Sequence, residues 1–521
     1  MSEPAWVPQE DRPLRTIFRN VATRYLSVAA ELAVGLLTLP FNLHHLGTEA
    51  YGLWMLTAGV TIHFSILDLG YGGAMVKFIA QYRAHKDSRA LNEIASTLFY
   101  LFACFGVIAY LVVVGLAFNL DHVFNITAAQ AETGKWILLI IGVNVAINFP
   151  FSVYGGVSSG FQRYDINNMV AIASNLTVAA VNVTVILLGY GLVAMIAATS
   201  FVRFVTYFIY RYNAYKVFPG LRIRPSSFRK DRLREVTGFS IYSSIIDWAN
   251  KLNYELDEIV IGVFLGPVPV AVWAVAERII SGTQRLTNQG NAVLFPVVVD
   301  SEATQRIGRL QKIMLEGTRL SLATVLPIAL VLVVLADPLI RAWIRKPEVM
   351  GAVPVIQILA FAVALRVGNA TSTTLLKGAG HIRNVAFVNI GTGIANLIFS
   401  ALLIGPLGLP GVAIGTLIPV AFSSVFILFP MACRRVELGV LHTFRRAVWP
   451  SLWPALIVGG ILFLSSRFTP GGPWFVVAEA AAAGLLYVAL FVAAVGRRDR
   501  EQYTAKFWEL TGRKRDLATA T

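Results

Sequence analysis

Charge is what this 521-residue chain has least of. Asp, Glu, Lys and Arg together make up 14% of it, where a soluble globular protein carries about 25%. A water-soluble fold of this length needs several domains with well-charged surfaces, and the charge for them is missing. Cysteine is nearly absent too. Cys104 and Cys433 are the only two, which leaves neither a disulfide framework nor a CxxC site. No GxxxxGK[ST] loop occurs, so ATP hydrolysis is not expected within the chain. His44 and His45 are adjacent but have no matching cysteine or acidic cluster, so no metal site is expected. No other cofactor is expected either. Residues 1–20 lack the apolar core of a cleavable signal peptide, and the first spanning helix is expected to serve as the insertion signal.

What is present is apolar sequence in long pieces. Hydrophobic residues make up 56% of the chain, and the mean hydropathy is +0.65. The apolar runs are each about 20 residues, the length that crosses a hydrocarbon core. Lipid requires every backbone group to be satisfied internally, which leaves helices or a closed barrel. The runs are continuous rather than alternating, and that selects helices. The expected fold is an all-α polytopic membrane protein of about fourteen crossings. Six spans are read at 21–43, 51–76, 96–118, 134–158, 168–188 and 191–210. Six more lie at 238–263, 268–298, 313–336, 351–376, 384–404 and 409–430, and a last pair at 448–465 and 474–495.

The formal charge of +15 is spread over alternate loops. Arg211, Lys216, Arg222, Arg224, Arg229, Lys230, Arg232 and Arg234 crowd the central loop. Arg83, Lys86 and Arg89, then Arg434, Arg435, Arg445 and Arg446, then the tail from Arg497 to Arg515 fall on the same side. The opposite loops carry little beyond Lys135, Arg341, Arg345, Lys346 and Arg467. This asymmetry places both termini in the cytoplasm. It reads as a topology signal with some anionic-lipid contact, not as nucleic-acid binding.

Internal similarity organises the spans. Leu46-Gly47 through Trp54 matches Leu265-Gly266 through Trp273, with the glycines 219 residues apart. Gly160 and Gly378, and Gly191 and Gly408, repeat at nearly the same offset. A duplicated six-helix unit follows, both halves inserted the same way up. The expected organisation is a lobe at 1–210, a basic linker at 211–236, a second lobe at 237–430, a helix pair at 431–496 and a basic tail at 497–521.

Polar residues inside the spans fall on stripes. Ser240, Ser244, Asp247, Lys251, Glu255 and Glu258 step by three or four along the seventh span, and Arg278, Ser281, Gly282, Arg285 and Gln289 along the eighth. The first carries Arg24, Ser27, Glu31, Gly35 and Thr38, and the second Thr57, Thr61, Ser65 and Asp68. A charge at mid-span costs about 2.5–3.5 kcal/mol, so it should face a cavity or a partner. Arg24, Lys251, Arg278, Arg285 and Arg366 are the candidate cations for phosphate oxygens, whose geometry suits a guanidinium fork. Glu31, Asp68, Asp247 and Glu255 are the acidic candidates, holding these cations or carrying a coupling H+ or Na+. Each has a plainer reading. Asp247, Lys251 and Glu255 can neutralise one another at i, i+4, Arg24 can snorkel, and Arg366, like the further candidate Arg203 on the sixth span, can be an isolated structural partner. Asn389, Thr392 and Asn396 suit helix–helix hydrogen bonding.

Leu46-Gly47 with Tyr51-Gly52-Leu53-Trp54, followed by Leu67-Asp68-Leu69-Gly70-Tyr71-Gly72-Gly73-Ala74 and Lys77, resembles the N-terminal signature of polysaccharide-biosynthesis flippases. These are the Wzx-type O-antigen and exopolysaccharide exporters of the multidrug/oligosaccharidyl-lipid/polysaccharide superfamily. The resemblance implies a MATE-like fold in a bacterial inner membrane, with spans one, two, seven and eight lining a central cavity. It implies alternating access, with a polyprenyl-diphosphate-linked oligosaccharide passing from the inner to the outer leaflet. It also implies a lipid-tail groove at the last two helices and further polysaccharide-assembly proteins as partners. Two other functions stay open at this point: a cation-coupled multidrug exporter of the same superfamily, and a membrane enzyme of glycan assembly. The short outer connections, the longest near Asn119–Thr133 and Asp337–Met350, offer little room for a catalytic loop.

Overall fold

A computed structural model describes residues 13–237, 256–467 and 472–495. Among these the regular structure is helical, and eleven helices are long and apolar enough to cross a membrane. The first, α1 (Pro13–Ile62), is continuous by hydrogen bonding but bent at Gly47, which holds φ 83° and ψ 163°. Fifty helical residues would reach about 75 Å at 1.5 Å each, far beyond the ~30 Å hydrocarbon core. The break at Gly47 therefore separates the first two spans. The second is interrupted in turn. A 3-10 turn (His63–Asp68) leads to Leu69 and Gly70, both at positive φ, before α2 (Tyr71–Ala84) begins. The sequence reading had one helix over 51–76. The left-handed Leu69–Gly70 pair ends it early, because those dihedrals cannot continue a right-handed helix.

Next come α3 (Ser88–Ala117), α4 (Ala128–Gly160), α5 (Tyr164–Leu187) and α6 (Leu192–Val217). Asp87 caps α3 by accepting from Ala90 N at 2.9 Å. Thr127 and Gln130 close a reciprocal capping box on α4. Helices α3 and α4 meet at small residues: a Cβ on Gly106 would collide with the Ala146 carbonyl, and one on Gly142 would lie 2.7 Å from Val113 Cγ1. Such close approach is how membrane helices pack where lipid supplies no hydrophobic drive. Tyr71, Met75 and Phe78 of α2 bury against Leu98, Phe102, Phe149 and Tyr154.

The chain resumes with α7 (Asp257–Phe264), α8 (Pro267–Ala303), α9 (Ile307–Val334) and α10 (Ala352–Gly368). Then follow α11 (Ile382–Leu407), α12 (Leu409–Phe422), α13 (Trp449–Ser465) and α14 (Pro473–Ala494). Left-handed residues recur at one spacing. Gly47 and Gly266 both have φ 83°, Lys86 and Gln305 have 54° and 51°, Gln162 and Gly380 have 61° and 84°, and Gly189 and Gly408 have 81° and 63°. The separations are 219, 219, 218 and 219 residues. Helix ends thus repeat more faithfully than side chains do, and Gly408 pairs with Gly189 rather than with Gly191.

The chain forms two compact units. One is Met1–Arg278 with Asn389–Gly415, and the other is Ile279–Val388 with Thr416–Thr521. In the first, Asn396 of α11 donates to Asp257 of α7 at 3.4 Å and Ser400 donates to Asn396 at 3.0 Å. This is the helix-to-helix hydrogen bonding that the uncharged stripe suggested. In the second, Tyr487 of α14 is fully buried and donates to Ser451 O at 3.1 Å, while Ser451 donates to Arg319 O at 3.0 Å. Those two bonds tie α14 to α13 and α13 to α9.

The basic segment after α6 is ordered against α2 and α3. Asn92 donates to Gly220 O and accepts from Arg222 N, Ser96 bonds Arg222 O and Arg224 N, and Thr97 accepts from Arg229 N. Arg232 pairs with Glu93 at 3.3 Å and with Glu235 at 3.2 Å. Burial, and then the Glu235 carboxylate, push the Tyr82 phenol up to about 12, so it stays protonated and donates to Glu235 at 2.9 Å. Glu93 collects Arg89, Arg229 and Arg232. Glu93→Gln is therefore expected to release this segment, with trypsin cutting after Arg229 or Arg232 about tenfold faster at neutral pH. Unchanged cleavage would mean that the backbone bonds hold it alone.

Candidate functional site

The first candidate is built on α1, α7 and α8 within the first unit. Arg278, about three turns into α8, lies over Gly35 of α1. A Cβ there would stand 3.0 Å from Cζ and 3.1 Å from Nη1 of the guanidinium. Gly35 is about midway between Ala22, where the apolar stretch starts, and the bend at Gly47, so a fixed positive charge sits deep within the span. Glu258 of α7 lies against Gly59 of α1. Arg278, Glu258 and Glu277 all act electrostatically on the buried Tyr51. Glu31, one turn from Gly35, is half-buried, and Glu31, Glu258, Glu277 and Arg278 all have polar or electrostatic partners. The stripes read on the first and eighth spans thus converge at Gly35 and Arg278.

The other stripe residues fall differently. Arg24 is exposed on α1. Arg285, exposed, and Arg366, half-buried, belong to the second unit. Ser240, Ser244, Asp247, Lys251 and Glu255 lie outside the described residues. Thr57 and Thr61 turn their hydroxyls onto their own helix, to Leu53 O at 2.9 Å and Ala58 O at 2.8 Å.

Asp68 marks a second feature. Placed at the break before α2, it accepts from Gly72 N at 3.1 Å and lines an open cavity of about 980 Å³ bordered by α1, α2, α4, α5 and α6. Asp68 and Arg203 are the charged residues of its wall; the rest mixes Asn, Ser and Thr with aromatic and aliphatic side chains. Arg203, a further sequence candidate whose plainer reading is an isolated partner, faces this space near the middle of α6. Tyr207 donates to Asn144 O at 3.3 Å, and Ser174 bonds Thr206 across α5 and α6 at 2.9 Å. Sequence reasoning passed over Asn144, Asn148, Asn175 and Asn182. The signal was available: Asn144, Asn148 and Ser152 step by four on α4, and Asn175 and Asn182 by seven on α5. The apolar residues around them outweigh these amides in a whole-span average, so they stayed hidden in spans of mean hydropathy 1.9 and 2.0.

The second unit holds an apolar groove of about 440 Å³ between α9, α10, α13 and the segment at 424–429. Leu322, Leu326, Phe361, Leu452 and Leu456 are typical of its wall, and Thr318, Asn369 and Ser424 are its polar members.

Comparisons place this geometry among known proteins. A Shigella flexneri protein named as an O-antigen transporter is 17% identical over 426 residues, covering 81% of this chain and 100% of that relative. The lipid II flippase MurJ in an inward closed conformation superposes with a TM-score of 0.70 at 14% identity, over 95% of this chain and 99% of MurJ. An inward-facing multidrug resistance MATE family transporter of the MOP superfamily superposes at 0.62 with 16% identity, covering 78% and 98%. The fold is thus the one shared by MurJ and the MATE transporters. The profile described as "Polysaccharide biosynthesis protein" matches residues 46–346, more than half of the chain and spanning both the broken second span and Arg278: this protein belongs to the polysaccharide biosynthesis protein family.

Proposed function

We propose that the chain is a flippase that carries a polyprenyl-diphosphate-linked oligosaccharide from the inner to the outer leaflet of a bacterial cytoplasmic membrane. It works by alternating access, with both termini in the cytoplasm. The family match carries the reading, and the relatives it resembles are named as transporters and flippases rather than enzymes. The geometry supplies what each part of the substrate needs. Arg278, deep in the span against Gly35, offers a guanidinium fork to the diphosphate. The groove at Leu326 and Phe361 offers an apolar bed to the prenyl chain, which in water would cost about 0.8 kcal/mol per CH₂.

An inside-negative potential favours outward movement of a diphosphate by about 2.3 kcal/mol per charge per 100 mV, and Glu31 or Asp68 supplies a site for a coupling H+ or Na+. Other polysaccharide-assembly proteins take up the product at the outer leaflet.

Reconstitution tests the proposal. Proteoliposomes holding the full chain should move lipid-linked oligosaccharide to the leaflet where an added glycosidase cuts it, and empty liposomes should not. Phe361 is 55% exposed on a spanning helix, so Phe361→Lys leaves no void in the core but adds a mid-span charge costing about 2.5–3.5 kcal/mol, and its folded yield is measured alongside transfer. The variant should slow transfer about tenfold by placing an ammonium in the prenyl bed. Equal cleavage with and without protein would refute the function, and an unaffected Phe361→Lys variant would refute the groove's role.

A further inference from the structure

The polar cavity of the first unit has chemistry that neither the diphosphate nor the prenyl chain uses. Asn182 is 6% exposed, and its Oδ1 has no hydrogen-bond partner among the described residues. The Oδ1 of Asn144 is likewise buried and without a partner, although its Nδ2 donates to Ile140 O at 3.5 Å. Both residues line the cavity. A buried acceptor left unmatched costs about 1–3 kcal/mol, and Asn144 on α4 with Asn182 on α5 place two beside the cavity, where a turn of each amide about its side-chain torsion offers it to a donor arriving from outside. Asn148 and Asn175 add further amides, while Trp54 and Tyr207 add aromatic surface.

Hydrocarbon would leave these amides unsatisfied. A diphosphate would meet a wall whose charged groups are one acid and one base, Asp68 and Arg203. A pyranose fits on both counts. Its hydroxyls donate to amide oxygens and accept from amide nitrogens, and its C–H face stacks on aromatic rings. The volume of about 980 Å³ is at the upper end of the ~300–1,000 Å³ typical of ligand pockets, room for more than one ring.

We infer that this cavity is the glycan-recognition compartment of the transporter: it binds the sugars of the lipid-linked substrate through Asn144 and Asn182, separately from the site at Arg278. The inference rests on the flippase reading and names the part of the protein that selects among glycans. Selection is then set on α4 and α5, so exchanging the cavity amides changes which glycan is carried without changing the lipid requirement.

The test is binding by the full chain in nanodiscs to two probes. One is lipid-linked oligosaccharide extracted from the membranes of cells that naturally make the protein; the other is undecaprenyl diphosphate, which lacks sugar. Wild type should prefer the glycosylated probe by about tenfold or more, the worth of one to two well-made hydrogen bonds. Asn144→Leu/Asn182→Leu should abolish that preference and keep the affinity for undecaprenyl diphosphate, which also reports an intact fold. Asn148 is exposed, so Asn148→Trp should block the cavity without disturbing packing and give the same loss if the double variant does not fold. Arg278→Ala should weaken both probes equally. A preference that survives Asn148→Trp and the double variant overturns the sugar compartment while leaving the flippase intact. Failure of wild type to bind either probe overturns the flippase reading itself.

Discussion

Arg278→Ala is expected to reduce glycolipid export by about a hundredfold or more, the cost of removing one partner from a desolvated, hydrogen-bonded charge pair. The physical reason is its depth. A guanidinium in the middle of a span costs about 2.5–3.5 kcal/mol, and under the proposed function a diphosphate of matching geometry offsets that cost during transport. Arg278→Lys keeps the charge but loses the bidentate fork, so it should fall between the two. Gly35→Ala tests the same contact from the other side. Its Cβ would stand 3.0 Å from Cζ, closer than van der Waals contact, and should shift the guanidinium by a few tenths of an ångström and slow export about threefold to tenfold. Because Glu258 and Glu277 share this neighbourhood, Arg278→Ala alone leaves acidic charge uncompensated. Glu277→Gln/Arg278→Gln removes both signs together and separates recognition from folding. Export is read as glycolipid accumulating in the inner leaflet of cells and as transfer in proteoliposomes. Wild-type rates in the neutral double variant would remove Arg278 from the substrate path.

Gly106→Leu should cost about 3 kcal/mol or more of stability, and with it most of the folded protein recovered from the membrane. The obstacle is backbone: the nearest atoms to a Cβ at Gly106 are the carbonyl and Cα of Ala146 on α4. A side chain in the way could rotate, but a helix backbone can yield only if α3 and α4 part along their shared face. Gly142 against Val113 seals the same face, so the damage spreads. Gly115 on α3 is the control, since nothing lies within 4 Å of a Cβ there. Gly115→Leu should melt near the wild-type temperature in detergent. Similar melting temperatures for the two variants would show that the close approach at Gly106 contributes little.

Several determinants of this protein were legible in its residues alone. Spans announce themselves because lipid tolerates only long apolar segments with internally paired backbones, and a charge such as Arg278 stands out against them because of its transfer cost. The duplication was visible at Gly47 and Gly266 because a left-handed turn selects glycine, and both hold φ 83°. At 86 and 305 a positive φ is held by Lys and Gln, where side-chain identity says nothing and only the backbone reveals the repeat.

Tertiary structure decided the rest. The second span breaks at Leu69–Gly70, a choice that local propensity leaves open and that places Asp68 at a cavity wall. Arg203 looked isolated because its neighbours come from helices distant in sequence. Asn144 and Asn182 looked unremarkable because apolar neighbours outweigh an amide in a whole-span average, and an oxygen left buried and unmatched shows only in the packed structure. Transfer free energy is a property of each residue and can be summed along a chain. Hydrogen-bond satisfaction is a property of pairs, so it exists only once the helices have met.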